Sequence, residues 1–334
     1  MQFKEKHMLK RHLNQITVAL ALAATLPLSF AQSAAPSWPS KPIKLIVPYA
    51  AGGPADVVAR ELALVLTADL KQPVTVENQG GGMGVPALGV VTRAEPDGHT
   101  LLLAAFGNMV LQPMLSKKGG ADLVAKLKPV STISTGPHVL VVSAKLPVKN
   151  IPELIDYARA NPGKVSFASA GTGGTAHLGM EMFKALSKTD VIHVPYKGSA
   201  GAVNDLISGE VSAMFSSLPS LQGLADKGLV KVLAATAPSK SNATKSLPLI
   251  GTALPGFDYT TWYAMYAPLA TPKPVVDAIN GALTKALKTP ALVAKIEAAG
   301  TELQAGSPEE VQAWTQRDTE KWSRVIRDAK IAIE

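Results

Sequence analysis

The chain has no cysteine among its 334 residues. That excludes disulfide scaffolds, thiolate metal sites, cysteine nucleophiles and a lipid-modified N-terminal cysteine. Aromatic residues make up only 5%, too few to build the stacking platforms that single-stranded nucleic acids need. No apolar run approaches the roughly 20 residues required of a membrane-spanning helix. Catalytic signatures are missing too. There is no G-x-S-x-G to mark a nucleophile elbow, no G-x-x-x-x-G-K-[ST] phosphate loop and no H-E-x-x-H zinc helix. The chain is therefore not expected to be an enzyme, nor to carry a cofactor or a metal. His177 and Glu181, four residues apart, are compatible with a shared helix face, but one histidine and one carboxylate make a poor metal site.

With 47% hydrophobic and 17% charged residues the chain reads as globular, and its length suggests two domains. The N-terminus reads as a cleaved secretory leader over residues 1–31. Lys4, Lys6, Lys10 and Arg11 precede the apolar run 16–28, and Ser29-Phe30-Ala31 supplies small residues at the −3 and −1 positions. Its removal takes four basic side chains and one acidic one, so the formal charge falls from +8 to +5. The remaining charge is scattered, with no block of basic residues to hold nucleic acid. A chain without free thiols suits an oxidising compartment.

Beyond the leader, short apolar runs alternate with helical patterns. Strands are expected at 43–47, 74–77, 100–105, 130–133, 139–142, 165–168, 191–194, 211–215, 230–234 and 262–267. Helices follow from stripes such as Val58, Leu62, Val65 and Leu66, or Leu178, Met182, Phe183 and Leu186. Two long helices are expected near 274–287 and 308–326. Continuous rather than alternating apolar strands imply sheets covered on both faces, the parallel α/β type.

Several strands lead into loops of small residues: 49–53 (Tyr-Ala-Ala-Gly-Gly), 80–84 (Gly-Gly-Gly-Met-Gly), 106–108 (Phe-Gly-Asn) and 169–175 (Ser-Ala-Gly-Thr-Gly-Gly-Thr). The first and last open helices whose leading N–H groups have no internal partner, and such termini favour anions. Ser169, Thr172 and Thr175 add hydroxyl donors. Together the loops point to a cleft that binds anions through the backbone. Asp56 is read as a first-turn acid that complements the helix dipole.

One set of motifs runs through the chain: Trp38-Pro39-x-Lys41-Pro42-Ile43, Gly52-Gly53-Pro54-x-Asp56, Val76-Glu77-Asn78, Pro96-Asp97-Gly98-x-Thr100-Leu101, Phe167-Ala168-Ser169-Ala170-Gly171 and His193-Val194-Pro195-Tyr196-Lys197-Gly198. Ala267-Pro268 before Thr271-Pro272 completes the set. They resemble the extracytoplasmic solute-binding receptors of tripartite tricarboxylate transporters, the Bug family, in the family's order and over essentially the whole chain after the leader. The resemblance implies an α/β two-lobed periplasmic binding protein of the second type with two crossovers between lobes. One lobe would comprise residues 36–137 with 262–334, the other residues 138–261.

It further implies a monomer in the periplasm that closes over a small di- or tricarboxylate or aromatic carboxylate and delivers it to permease subunits in the membrane. The ligand carboxylate would be held by backbone and hydroxyl groups, partly through water, rather than by arginine. The matching positions are Tyr49, Ala50, Ala51, Gly52, Gly53, Gly80, Gly81, Gly82, Asn108, Ser169, Thr172, Gly173, Thr175, His177, Phe215 and Ser216. Two departures alter the cleft wall: Tyr49-Ala50-Ala51 stands where relatives have Pro or Phe, and Ser216 where many have an acid. A neutral Ser216 leaves a ligand ammonium unpaired, which favours plain carboxylates over amino acids. A sensor that presents its ligand to a signalling receptor would use the same cleft, and the sequence leaves that alternative open.

Overall fold

The computed structural model describes residues 38–115, 120–196, 198–218, 221–298 and 301–328. The expected leader lies outside them. The strands are β1 (Ile43–Val47), β2 (Val74–Asn78), β3 (Thr100–Ala105), β4 (Leu127–Pro137), β5 (Val139–Ser143), β6 (Val165–Ser169), β7 (Val191–Pro195), β8 (Ala213–Ser216), β9 (Val230–Ala235), β10 (Thr260–Pro268) and β11 (Glu302–Leu303). They form two sheets, one of six strands in the order β11-β4-β10-β3-β1-β2 and one of five in the order β7-β6-β8-β5-β9.

Each sheet is mixed rather than parallel. β1 pairs parallel with β2 and β3, but β10 runs antiparallel to both β3 and β4. In the second sheet β6 pairs parallel with β7 and β8, while β5 runs antiparallel to β8 and β9. The expectation of parallel sheets is corrected, and the reason is topological. An apolar run reports that both faces are covered, not the direction of the neighbouring strand. The antiparallel strands lie next to the points where the chain changes sheet, at His138 between β4 and β5 and at Tyr259 before β10.

Eight principal helices cover the sheets: α1 (Pro54–Leu70), α2 (Val85–Thr92), α3 (Ile151–Ala160), α4 (Thr175–Ser187), α5 (Ser199–Ser208), α6 (Lys273–Ala286), α7 (Pro290–Ala298) and α8 (Pro308–Asp328) among the described residues. Local chemistry sets their starts. α1 opens with Pro54 behind Gly53, where a missing N–H is harmless. Before α3 the Asn150 side chain accepts from the Glu153 N–H while the Glu153 carboxylate accepts from the Lys149 N–H. At the start of α8 the exchange is reciprocal, the Glu310 N–H donating to Ser307 Oγ and the Ser307 N–H to the Glu310 carboxylate, the capping-box arrangement. The sequence pattern did not anticipate α2 and α7, and the loop expected at 106–108 runs into a π turn at Gly107–Leu111.

The scarce aromatic residues gather where the chain changes sheet. Phe106 packs on Trp262 and Trp322, Trp322 on Tyr259, Tyr259 on Phe215, and Phe215 on Phe167, with centroid separations of 5.6–6.2 Å. Such pairs each add roughly 0.5–1.5 kcal/mol beyond their area, so a small aromatic count ties both sheets into one core. Trp262 Nε1–H donates to the buried Asp318 carboxylate at 2.7 Å, which fixes α8 against this seam. Thr236 stitches the crossing itself. Its Oγ1 accepts from the His138 N–H and donates to the Tyr259 carbonyl, and its own N–H donates to the His138 carbonyl.

Candidate functional site

A cavity of about 1570 Å³ opens between the loops of the two sheets. Fourteen of the sixteen residues singled out in the sequence line it: Tyr49, Ala50, Ala51, Gly52, Gly53, Gly81, Gly82, Asn108, Thr172, Gly173, Thr175, His177, Phe215 and Ser216. Gly80 and Ser169 do not reach the wall; they brace it from behind. A Cβ at position 80 would lie 2.8 Å from the Ala50 nitrogen, so glycine lets the two loops touch. Ser169 is buried, its Oγ accepting from the Gly171 N–H and sitting 2.7 Å from His193 Nε2.

The loop at 49–53 is held by a polar cluster. Asp56 accepts from the Gly52 N–H and Arg60 Nε on one oxygen and from Asn78 Nδ2 on the other; Asn78 also donates to the Tyr49 carbonyl. Burial alone would push the Asp56 carboxyl up, but the bonds from Arg60, Gly52 and Asn78 outweigh it and hold it below the ordinary range. Asp56 thus organises the loop. The facing loop is tied by His177, whose Nδ1 accepts from the Gly173 N–H at 3.0 Å. The first internal bond of α4 runs from the Leu178 N–H to the Gly174 carbonyl. The N–H groups of Thr175, Ala176 and His177 therefore lack partners within the helix at the edge of the cavity.

Three histidines border this space, and all are neutral near pH 7. Burial lowers His138, His177 and His193 to about 4, with His193 adding to the effect at His177. The His177 and His193 rings stack with centroids 3.9 Å apart. His177 Nε2 lies 3.7 Å from Glu181, and no group of three or more potential metal ligands occurs among the described residues. Among the described residues, Glu181 and Lys184 supply the acidic and basic side chains on the wall; Glu181 was not foreseen there. Burial, and then the neighbouring Tyr263, push the Tyr49 hydroxyl above its ordinary value, so it stays a neutral donor.

Sequence reasoning also missed Met83, Leu115, His138, His193, Thr261 and Tyr263 on the wall. His193 lay in a quoted motif, and Met83 in a quoted loop. His138, Thr261 and Tyr263 reach the site only because the chain changes sheet there. The facing loops come close. A Cβ at Gly107 would lie 3.5 Å from Thr175 Oγ1, and one at Gly198 would lie 3.5 Å from the Ala50 methyl. Asn108 spends its amide on the scaffold, accepting from the Ala105 N–H and donating to the Met83 carbonyl. Met83 itself has φ +54°, a left-handed conformation that costs a residue with a Cβ roughly 1–2 kcal/mol.

Among the described residues, then, the cavity wall is built largely of small residues and hydroxyls from facing loops, with no arginine. Residues 58–331 match the model of the tripartite tricarboxylate transporter family receptor. The chain belongs to that family. Protein BugT of Bordetella pertussis is 32% identical over 300 residues, covering 88% of this chain and 91% of BugT. Among solved structures, Rpa4515 of R. palustris with adipate superposes with a TM-score of 0.84 at 30% identity, covering 88% of this chain and 99% of that one. MatC of Rhodopseudomonas palustris with bound malate gives 0.80 at 28%, covering 86% and 100%. The Bug-family receptor fold expected from the motifs is therefore present, and the chain is a binding protein rather than an enzyme.

Proposed function

We propose that this receptor works in the periplasm after loss of residues 1–31, as a monomer that captures a small di- or tricarboxylate, or an aromatic carboxylate, and presents it to the membrane subunits of a tripartite transporter. Its two lobes are residues 36–137 with 262–334, and residues 138–261, hinged at the His138 and Tyr259 crossings. The observation that carries this reading is the pair of facing loops, 49–53 and 170–175, which line one cavity together with the start of α4, where the Thr175, Ala176 and His177 N–H groups have no partner within the helix and Thr175 adds a hydroxyl. Adipate in one solved relative and malate in another support the carboxylate class. Thr175, buried on the wall, donates to one ligand carboxylate.

A thermal-shift screen tests the proposal. A carboxylate that binds only the folded chain raises its stability by about 2.7 kcal/mol at a hundredfold excess over Kd. Upward shifts confined to carboxylates are expected, while a blank against mono-, di- and tricarboxylates and aromatic acids would refute it. Turnover of a bound acid would contradict the binding role.

A further inference from the structure

In the run Gly80-Gly81-Gly82-Met83-Gly84 a single residue carries a side chain, and it is strained. Gly81, Gly82, Met83 and Gly84 all have positive φ, a region that glycine occupies without cost. A methionine kept among such glycines points to a task for its side chain, as strained residues at ligand sites often have. The backbone is pinned, since the Met83 carbonyl accepts from Asn108 Nδ2 at 3.2 Å. The thioether reaches across to the loop of the second sheet. A Cβ at position 173 would lie 2.2 Å from Met83 Cε, 3.0 Å from its Sδ and 3.4 Å from Leu115 Cδ1. The missing Cβ at Gly173 leaves the thioether this room, and the φ of +76° there favours glycine. Met83, Leu115 and Gly173 all line the cavity beside Thr175.

We propose that Met83 is a specificity-determining residue. With Leu115 it forms an apolar wall against the body of a ligand whose carboxylate lies at Thr175, and it selects carboxylates with a methylene or aromatic body over hydroxylated ones. The thioether is polarizable and adaptable, suited to methylene and ring surfaces, and it offers a hydroxyl little in exchange for water. The inference rests on the carboxylate reading above and narrows its ligand class.

The test uses adipate and galactarate, six-carbon dicarboxylates whose inner carbons carry hydrogens in one and hydroxyls in the other. Calorimetry on the leaderless chain should show adipate bound more tightly. Met83→Gly, which relieves the backbone, should weaken adipate about tenfold and leave galactarate within threefold, while Met83→Leu should keep the preference. Equal affinities in the unaltered protein, or a ratio unmoved in Met83→Gly, overturns the inference. So does binding of malate with neither six-carbon acid. A blank across every carboxylate would instead overturn the proposed function, and this inference with it.

Discussion

Mild acidification should loosen this receptor by charging histidines that the fold keeps neutral. His138 and His177 are held to about 4 in the folded chain against an ordinary 6.5. Between those values the unfolded state binds protons that the folded state refuses, so stability is complete above pH 6.5 and is lost as the pH falls toward 4. At pH 5 each of the two costs about 2 kcal/mol. His193, lowered to about 4 as well and stacked on His177, adds to the loss. A combined loss of about 4 kcal/mol from His138 and His177 corresponds to a fall of roughly 10 °C in Tm for a domain of this size. Thermal melts at constant ionic strength from pH 7.5 to 5 measure it. Saturating carboxylate should shrink the fall, because an anion beside His177 favours the imidazolium. A Tm that stays flat over this interval would refute the account of three neutral cleft histidines.

Three substitutions probe other parts of the site. Asp56→Asn removes a charged acceptor shared by Gly52, Arg60 and Asn78; urea denaturation should show a loss of roughly 1–2 kcal/mol, with carboxylate affinity reduced more than tenfold as the loop at 49–53 loosens. Thr175→Val should weaken carboxylate binding by about one to two orders of magnitude, as expected for one hydrogen bond to a charged acceptor, with little change in stability. Gly179→Ala would place a Cβ 2.5 Å from the Tyr259 hydroxyl; the strain, roughly 1–3 kcal/mol, should exceed the helix gain of about 1 kcal/mol, so the variant should unfold at lower urea.

How far the sequence reveals this molecule depends on how local each feature is. The strand at Ile43–Val47, the Gly-rich turn and the helix from Pro54 follow one another in the chain, and their reading matches the structure. Strand direction is different, since the pairing of β10 with β3 and β4 joins residues more than a hundred positions apart. The site divides in the same way. Loops between a strand and its helix were legible as wall, whereas His138 and Tyr263 enter it only through the crossings. Small residues read alike whether they face a ligand or brace the loop that does, which is why Gly80 and Ser169 were grouped with the wall. Ser216 is one position of the wall, and the fold brings the Glu181 carboxylate to the same cavity from a helix turn that no local pattern links to it.

The central claim is that facing backbone loops, without arginine, hold one carboxylate between the two sheets. A crystal structure of the leaderless chain grown with adipate tests it most directly. The account predicts a carboxylate seated between loop 49–53 and the start of α4, within hydrogen-bonding distance of Thr175 Oγ1 and of main-chain N–H groups from both sheets. A ligand paired chiefly with Lys184, or seated against one sheet alone, would contradict it.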